Sequence, residues 1–323
     1  MSSLFRHSLW VALPVVLLLA GCFGGKGRPA RPETQLRAET ALARGIRAEQ
    51  KGDSLEAERL LLQSLAISTS IEDYPARATA LINLARLYRL RHELPTAETY
   101  IDQVLASSET ASQLPAETAY EKALLELAKD RRETALLWAQ KAIAAERGNA
   151  LGSRLNLAAR IQLALGIWVT ADALARNALT ENRSAGQAEE EANSLRILGI
   201  VARNEKKYHS ATQLLEEALQ VDKKIGKNSK IAADLEELAV TARDAGNLKE
   251  TAAYLERAYQ VNLAGGRLRQ AMDDQEALAA VYSAAGEEQK ATRARDTARK
   301  LFIPDVTQKP GSSSATINPS SSP

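Results

Sequence analysis

The sequence predicts an all-α protein in which about seven helix-turn-helix repeats form an α-solenoid. Aromatic residues make up only 4% of the 323 residues, so the 45% that are hydrophobic consist largely of alanine and leucine, which favour helices. Small residues recur at intervals close to 40, and turn-forming residues recur between them. Repeats of this length are typical of stacked helical pairs, each burying one face against its neighbour.

Residues 1–21 are predicted to be an export signal. Arg6 and His7 precede an apolar run, Leu9–Leu19, which is too short to span a bilayer and suits the core of a signal peptide. The run ends in Leu19-Ala20-Gly21-Cys22, which resembles the bacterial lipobox. That resemblance implies that Cys22 is acylated and becomes the mature N-terminus.

Residues 22–35 are predicted to be a flexible tether, because glycine and proline prevent a regular element there. In the sorting pattern of bacterial lipoproteins, aspartate directly after the cysteine favours the inner membrane. Phe23 occupies that position. The resemblance therefore implies an envelope protein that is lipid-anchored in the outer membrane and faces the periplasm.

Residues 36–302 contain the predicted repeats, which share three small-residue positions and one turn position. The first small position is occupied by Gly45, Ala85, Ala123, Ala159, Gly199, Ala239 and Ala279. Twelve residues later stand Ala57, Ala97, Ala135, Ala171, Ala211, Thr251 and Ala291, and seven further on stand Ser64, Val104, Ala142, Ala178, Ala218, Ala258 and Ala298. The turn position holds Gly52, His92, Asp130, Gly166, Lys206, Gly246 and Gly286. Small residues at such offsets let two antiparallel helices approach closely.

These offsets resemble the tetratricopeptide repeat (TPR). The resemblance implies a curved array whose first helices face a concave groove. Most intervals are 40 residues, longer than is usual in that family, so either the helices or the links must be longer. The third repeat departs further, because Lys122 and Glu126 stand where apolar residues are expected.

The end of the chain is predicted to be a capping helix followed by a disordered tail. The segment from Glu287 to Phe302 carries several basic residues, which suit a terminal helix with one solvated face. Residues 303–323 are rich in serine and proline and have too little apolar surface to fold.

The sequence shows no motif for catalysis, and we predict no enzyme activity, no cofactor and no metal site. His92 and His209 lie near turns and are expected to be exposed. Cys22 is the only cysteine, so acylation would remove the only thiol. Trp138 and Trp168 are expected to belong to the core. The net charge of +2 and the export signal argue against nucleic-acid binding.

The family resemblance places certain first-helix residues on the groove, and many of them are arginine or asparagine. The candidate partner-binding residues are Arg86, Arg89, Tyr120, Asn156, Arg160, Asn193, Arg196, Arg203, Asn204 and Arg243. A guanidinium suits carboxylates, and an amide can pair with a peptide backbone. One hypothesis is a groove that binds an acidic segment or chain terminus of a partner. The alternative is a solvated face whose arginines pair with nearby glutamates.

The leading functional prediction is a membrane-anchored scaffold or assembly factor for envelope proteins. In layout it is similar to TPR lipoproteins of pilus secretin assembly and to adaptors of cell-wall enzymes. The alternatives are an envelope hydrolase or its regulator, and a small-ligand-binding lipoprotein. The sequence does not identify the partner, the pathway or the oligomeric state.

Overall fold

The computed structural model describes residues 32–107 and 116–301, and within them every regular element is an α-helix. The helices are α1 (Glu33–Gln50), α2 (Ser54–Ser70), α3 (Tyr74–Leu90), α4 (Leu94–Ser107), α5 (Ala116–Ala128), α6 (Arg132–Ala145), α7 (Leu151–Ala164), α8 (Trp168–Ser184), α9 (Ala188–Asn204), α10 (Tyr208–Ile225), α11 (Asn228–Asp244), α12 (Leu248–Ala264), α13 (Leu268–Ala284) and α14 (Glu288–Leu301). This confirms the all-α, TPR-like solenoid. The predicted signal, Cys22, most of the tether and the tail lie outside the described residues, and α1 begins at Glu33 rather than at residue 36.

The length of the repeat comes from long helices rather than from long links. Helices α8 to α13 contain 17 or 18 residues each. Turns of two or three residues join them, which gives the 40-residue period. Helices α5, α6 and α7 are shorter, at 13 or 14 residues, which accounts for the shorter intervals in the middle of the chain.

The predicted turn position is confirmed in all seven helical pairs. His92, Asp130 and Lys206 adopt φ angles of 60°, 56° and 60°, in the left-handed region that otherwise favours glycine. In the other four pairs that position is glycine, also with positive φ. The chain therefore reverses in the same way within each pair, whatever the side chain.

The small-residue positions mark the closest approach between the two helices of a pair. A β-carbon added to Gly199 of α9 would lie 2.7 Å from Leu215 Cγ of α10, and one added to Gly45 would lie 3.0 Å from Leu61 Cγ. Ala85 and Ala97 are also buried at the equivalent interface of the second pair. Large side chains such as Leu61 and Leu215 fill the space that the small residues leave.

The array curves because its inner and outer helices pack differently. Consecutive odd-numbered helices from α1 to α11 contact one another, whereas the described even-numbered helices do not. The odd-numbered helices therefore line the concave side, and the even-numbered helices are spread along the convex side. No helix within residues 32–107 and 116–301 is long and apolar enough to cross a membrane.

The third repeat is held together by buried charges where other repeats have apolar contacts. Lys122 and Glu126 are both buried, and Lys122 Nζ lies 3.2 Å from Glu126 Oε1 and 3.2 Å from Glu98 Oε1 of the preceding repeat. Asp102 Oδ1 is 3.5 Å from the same amine. This network pairs the charges that burial would otherwise make costly.

Candidate functional site

The principal candidate site is a groove of about 1050 Å³ on the concave side. Every residue that lines it belongs to an odd-numbered helix: α1, α3, α5, α9 or α11. Ile82 and Leu124 provide apolar surface, and Thr79 and Asn83 provide polar groups. The curvature of the array thus brings the starts of α9 and α11 opposite α3.

The two arginines of this groove are neutralised by carboxylates of neighbouring repeats. Arg86 Nη2 lies 3.1 Å from Glu49 Oε2, and Arg89 Nε lies 2.5 Å from Glu121 Oε1. The groove is lined by five glutamates but only by three cations, Arg86, Arg89 and Lys230. An acidic segment would therefore meet net repulsion here, which favours the alternative interpretation of the arginines.

Tyr120, the third predicted residue that lines the groove, lies beneath a buried guanidinium. Arg154 Cζ is 4.2 Å from the centre of the Tyr120 ring. The same guanidinium bonds Glu117 and lies 3.3 Å from Glu146 Oε2. The Arg154 side chain is only 3% exposed, so it holds repeats three and four together rather than offering a free charge.

Arg196 occupies a buried cluster instead of the groove surface. Its Nη2 lies 2.6 Å from Asp222 Oδ2 and its Nε lies 2.7 Å from Asp234 Oδ1. Both aspartates are fully buried. The other oxygens, Asp222 Oδ1 and Asp234 Oδ2, have no hydrogen-bond partner within residues 32–107 and 116–301. One guanidinium thus serves two buried carboxylates from α10 and α11.

Burial changes the protonation of this cluster. Burial and the neighbouring Asp222 carboxylate together raise the pKa of Asp234 to about 7, although Arg196 opposes the shift. Burial also raises the pKa of Asp222. Burial and the adjacent Arg196 charge lower the pKa of Lys230, whose Nζ lies 3.2 Å from Asn193 Oδ1. The protonation of Asp234 in this cluster therefore changes near neutral pH.

The remaining predicted residues differ in their accessibility. Asn156 is buried and donates to Glu190 O and Oε2, both at 2.9 Å. Asn193 Oδ1 accepts from Arg196 Nη1 at 2.8 Å. Arg203 Nη1 lies 2.6 Å from Glu237 Oε2. Asn204 is the half-buried last residue of α9.

Arg160 and Arg243 are the two exposed arginines of the predicted set. Arg243 is paired only with its neighbour, since its Nη2 lies 3.2 Å from Asp244 Oδ1. Arg160 forms no ion pair with a described residue. Of the ten predicted groove residues, only Arg86, Arg89 and Tyr120 line the cavity.

Sequence reasoning named Tyr120, Asn156 and Arg196 but missed the polar partners with which they form sets that we call the junction triads. Each triad joins a first helix, the end of the second helix and the next first helix. The triads are Tyr120, Glu146 and Arg154; Asn156, Asn182 and Ser194; Arg196, Asp222 and Asp234; and Glu236, Asn262 and Asp274. Asn182, Asp222 and Asn262 recur at intervals of 40, and this was the signal that could have revealed them.

The other residues singled out from the sequence are two histidines and two tryptophans. His92 and His209 are exposed, as predicted. No cluster of histidine, cysteine, aspartate and glutamate suited to a metal ion occurs among residues 32–107 and 116–301. Trp138 packs against a core cluster, but the prediction for Trp168 was wrong, because this side chain is 42% exposed. Trp168 is the first residue of α8, where no further helical turn covers it.

Comparisons with known proteins agree with this geometry. A tetratricopeptide-repeat family profile matches residues 36–110, which correspond to the first two helical pairs. The fold is a TPR-like α-solenoid. No curated protein sequence matches the chain. Among solved structures, a Rap protein complexed with competence and sporulation factor is 16% identical, with a TM-score of 0.63 over 83% of this chain and 76% of that one.

Two further TPR-like structures align over most of this chain. NprR in complex with its cognate peptide NprX is 15% identical, with a TM-score of 0.57 over 82% of this chain and 78% of that one. The pilF protein of Pseudomonas aeruginosa is 17% identical, with a TM-score of 0.53 over 76% of this chain and 99% of that one. At these identities, the similarities establish the fold alone.

Proposed function

We propose that this protein is a lipid-anchored scaffold of the bacterial cell envelope that holds an extended segment of a partner protein in its concave groove. The observation that carries the proposal is the groove itself, which is lined only by first helices and combines apolar and polar side chains. A groove of about 1050 Å³ is large enough for several residues of an extended segment.

The charge of the groove limits the kind of segment that fits. Glu189 and Glu190 at the start of α9 add negative charge opposite the apolar surface of Ile82 and Leu124. A segment with apolar side chains and one basic residue complements this lining better than an acidic one. Two TPR-like structures of similar fold contain a bound factor or peptide, which supports a binding role.

A matched pair of tryptophan substitutions tests the groove. Thr79 lies in the groove and Thr99 does not, yet both are exposed and both donate to the carbonyl of a proline four residues earlier, at 2.9 Å and 3.1 Å. We expect Thr79→Trp to reduce partner recovery roughly tenfold, because the indole occupies the volume that the segment needs. Cross-linked purification from envelope fractions, quantified by mass spectrometry, measures this.

Thr99→Trp is the control and should recover the partner as the unaltered protein does. Both variants should have the melting temperature of the unaltered protein, since both threonines are exposed. Equal recovery with Thr79→Trp and Thr99→Trp would contradict the groove assignment.

The anchor is tested separately at Cys22. Replacing Cys22 with alanine should abolish labelling by an alkyne analogue of palmitate, because the thiol that carries the lipid is lost. A Cys22→Ala protein that is labelled as strongly as the unaltered protein would contradict lipid attachment at Cys22.

A further inference from the structure

A second cleft, of about 830 Å³, lies at the C-terminal end of the array. We call it the terminal cleft. Its apolar floor is formed by Ile231 and Leu235 of α11, Val261 of α12, and Leu278 of α13, and α14 contributes Ala294. Helices α11 and α13 are not in contact, unlike the preceding pairs of consecutive odd-numbered helices, and within the lining of the cleft the side chains of Val261, Tyr259 and Tyr282 remain partly exposed.

The edge of the terminal cleft is basic. Four cations line it: Lys223, Arg257, Lys290 and Arg293. The only carboxylate in the lining, Glu256, accepts a hydrogen bond from the hydroxyl of Tyr282. The edge therefore has a formal excess of positive charge around an apolar floor.

Three of these four cations have no carboxylate partner among the residues that the structure describes. Lys290 is paired with Glu287, the residue directly before its own helix. Arg257 lies over the Tyr254 ring at 5.5 Å, and it forms no ion pair within the described residues. Lys223 and Arg293 likewise form none there. In the concave groove, by contrast, both arginines are neutralised by carboxylates.

We infer that the terminal cleft binds an acidic amphipathic segment of a partner protein. Apolar side chains of the segment would cover the partly exposed Val261 and Tyr259, and its carboxylates would approach Arg257 and Arg293. A guanidinium and a carboxylate form strong, charge-assisted hydrogen bonds. Burial of apolar surface in the cleft would also contribute to the binding free energy, and this contribution does not depend on direction.

A protein segment fits this site better than an anionic membrane. The apolar residue Leu278 is only 2% exposed at the bottom of the cleft, so a flat bilayer surface would contact the cations but not the floor. This inference is independent of the proposed groove function, because the two sites share no lining residue.

Binding of two synthetic peptides to the full-length protein tests the inference. Both peptides carry leucine at helical spacing, and they differ only in having glutamate or lysine at the polar positions. Fluorescence anisotropy should show saturable binding of the glutamate peptide and at least roughly tenfold weaker binding of the lysine peptide. The affinity of the glutamate peptide should fall with added salt, because the Debye length shrinks to about 8 Å at 0.15 M.

Charge reversal locates the binding site. The double variant Arg257→Glu, Arg293→Glu should weaken binding of the glutamate peptide roughly a hundredfold, about tenfold for each reversed charge. Arg299→Glu is the matched control, because Arg299 is also on α14, is 80% exposed and does not line the cleft. It should bind the peptide as the unaltered protein does. Thr297→Trp, which fills the cleft without changing its charge, should also weaken binding.

Four results would overturn the inference. The first two are equal affinity of the double variant and of Arg299→Glu for the glutamate peptide, and equal binding of the glutamate and lysine peptides by the unaltered protein. The third is binding of vesicles that contain phosphatidylglycerol without binding of the glutamate peptide. The fourth is an affinity for the glutamate peptide that does not change with salt. Thr79→Trp in the concave groove should leave peptide binding unchanged. Loss of partner recovery with that variant therefore reports on the proposed function and not on the terminal cleft.

Discussion

The concave groove and the terminal cleft both contain arginine side chains, but these are paired with carboxylates in the groove and unpaired among the described residues in the cleft. In the groove, Arg89 pairs with a glutamate 32 residues later. In the terminal cleft, Arg257 and Arg293 have no carboxylate partner among the described residues, and no described helix packs on the far side of α14. In a solenoid, each repeat contacts only its neighbours. A charged side chain inside the array can therefore pair with a residue roughly one repeat away, whereas a charged side chain in the last repeat has no following repeat to supply a partner.

The largest expected effect on stability comes from Arg196, the arginine whose carboxylate partners are fully buried. Arg196→Ala should lower the free energy of unfolding by about 3–5 kcal/mol, because it leaves Asp222 and Asp234 buried without their cation. Chemical denaturation measures this, and hydrogen exchange should show the loss centred on α9 to α11. For this reason, Arg196 is unsuitable for testing partner binding.

Arg243→Ala provides the control for Arg196. This arginine lies at the end of α11, and its side chain is 58% exposed beside Asp244. Its loss should cost at most about 1 kcal/mol, as is usual for an exposed ion pair. Equal losses for the two variants would show that the Arg196 cluster does not hold repeats five and six together.

The second expected effect is a dependence of stability on pH. Because the pKa of Asp234 is raised to about 7 in the folded protein, the folded state binds more protons than the unfolded state between about pH 7 and pH 4. Stability should therefore rise as the pH falls from 8 to 5.5. Lys230, Glu189 and Glu190 also face this cluster and modulate the effect.

Asp234→Asn isolates this contribution. The amide cannot titrate, so the melting temperature of the variant should change less between pH 8 and pH 5.5 than that of the unaltered protein. Differential scanning calorimetry at the two pH values measures the difference. A variant whose melting temperature follows the same pH dependence as the unaltered protein would assign the proton uptake to other groups.

The smallest expected effect on stability comes from Arg257 in the terminal cleft. Arg257→Ala should change the free energy of unfolding by less than about 0.5 kcal/mol, because the guanidinium has no ion pair to lose and contacts only the Tyr254 ring. Chemical denaturation under the conditions used for Arg196→Ala measures it. A loss as large as that of Arg196→Ala would mean that the terminal cleft is held together by its cations and is not an open binding surface.

The repeat register was predictable because it rests on local requirements. The close approach at Gly199 and the left-handed turn at Lys206 each constrain a single position, and both recur along the sequence. The partners of Arg196 could not be predicted in the same way. Asp222 and Asp234 are 26 and 38 residues away, and only the packing of successive repeats brings their carboxylates to the same guanidinium.

The same limit applies to the candidate site. A register identifies the residues on the inner side of a first helix, and Arg86, Arg89 and Tyr120 of the predicted set line the groove. It does not show whether a cation there is already paired. Nor could it show the terminal cleft, whose lining combines residues of five helices that span Lys223 to Thr297.

The most direct test of the central claim, that the concave groove holds a partner segment, uses a photoreactive residue. Benzoylphenylalanine placed at position 79 in the groove should give a cross-linked adduct of defined mass in intact cells, and the same residue at position 99 should give none. An excess of the free partner segment should abolish the adduct from position 79. Equal adducts from both positions, or none from position 79, would contradict the account.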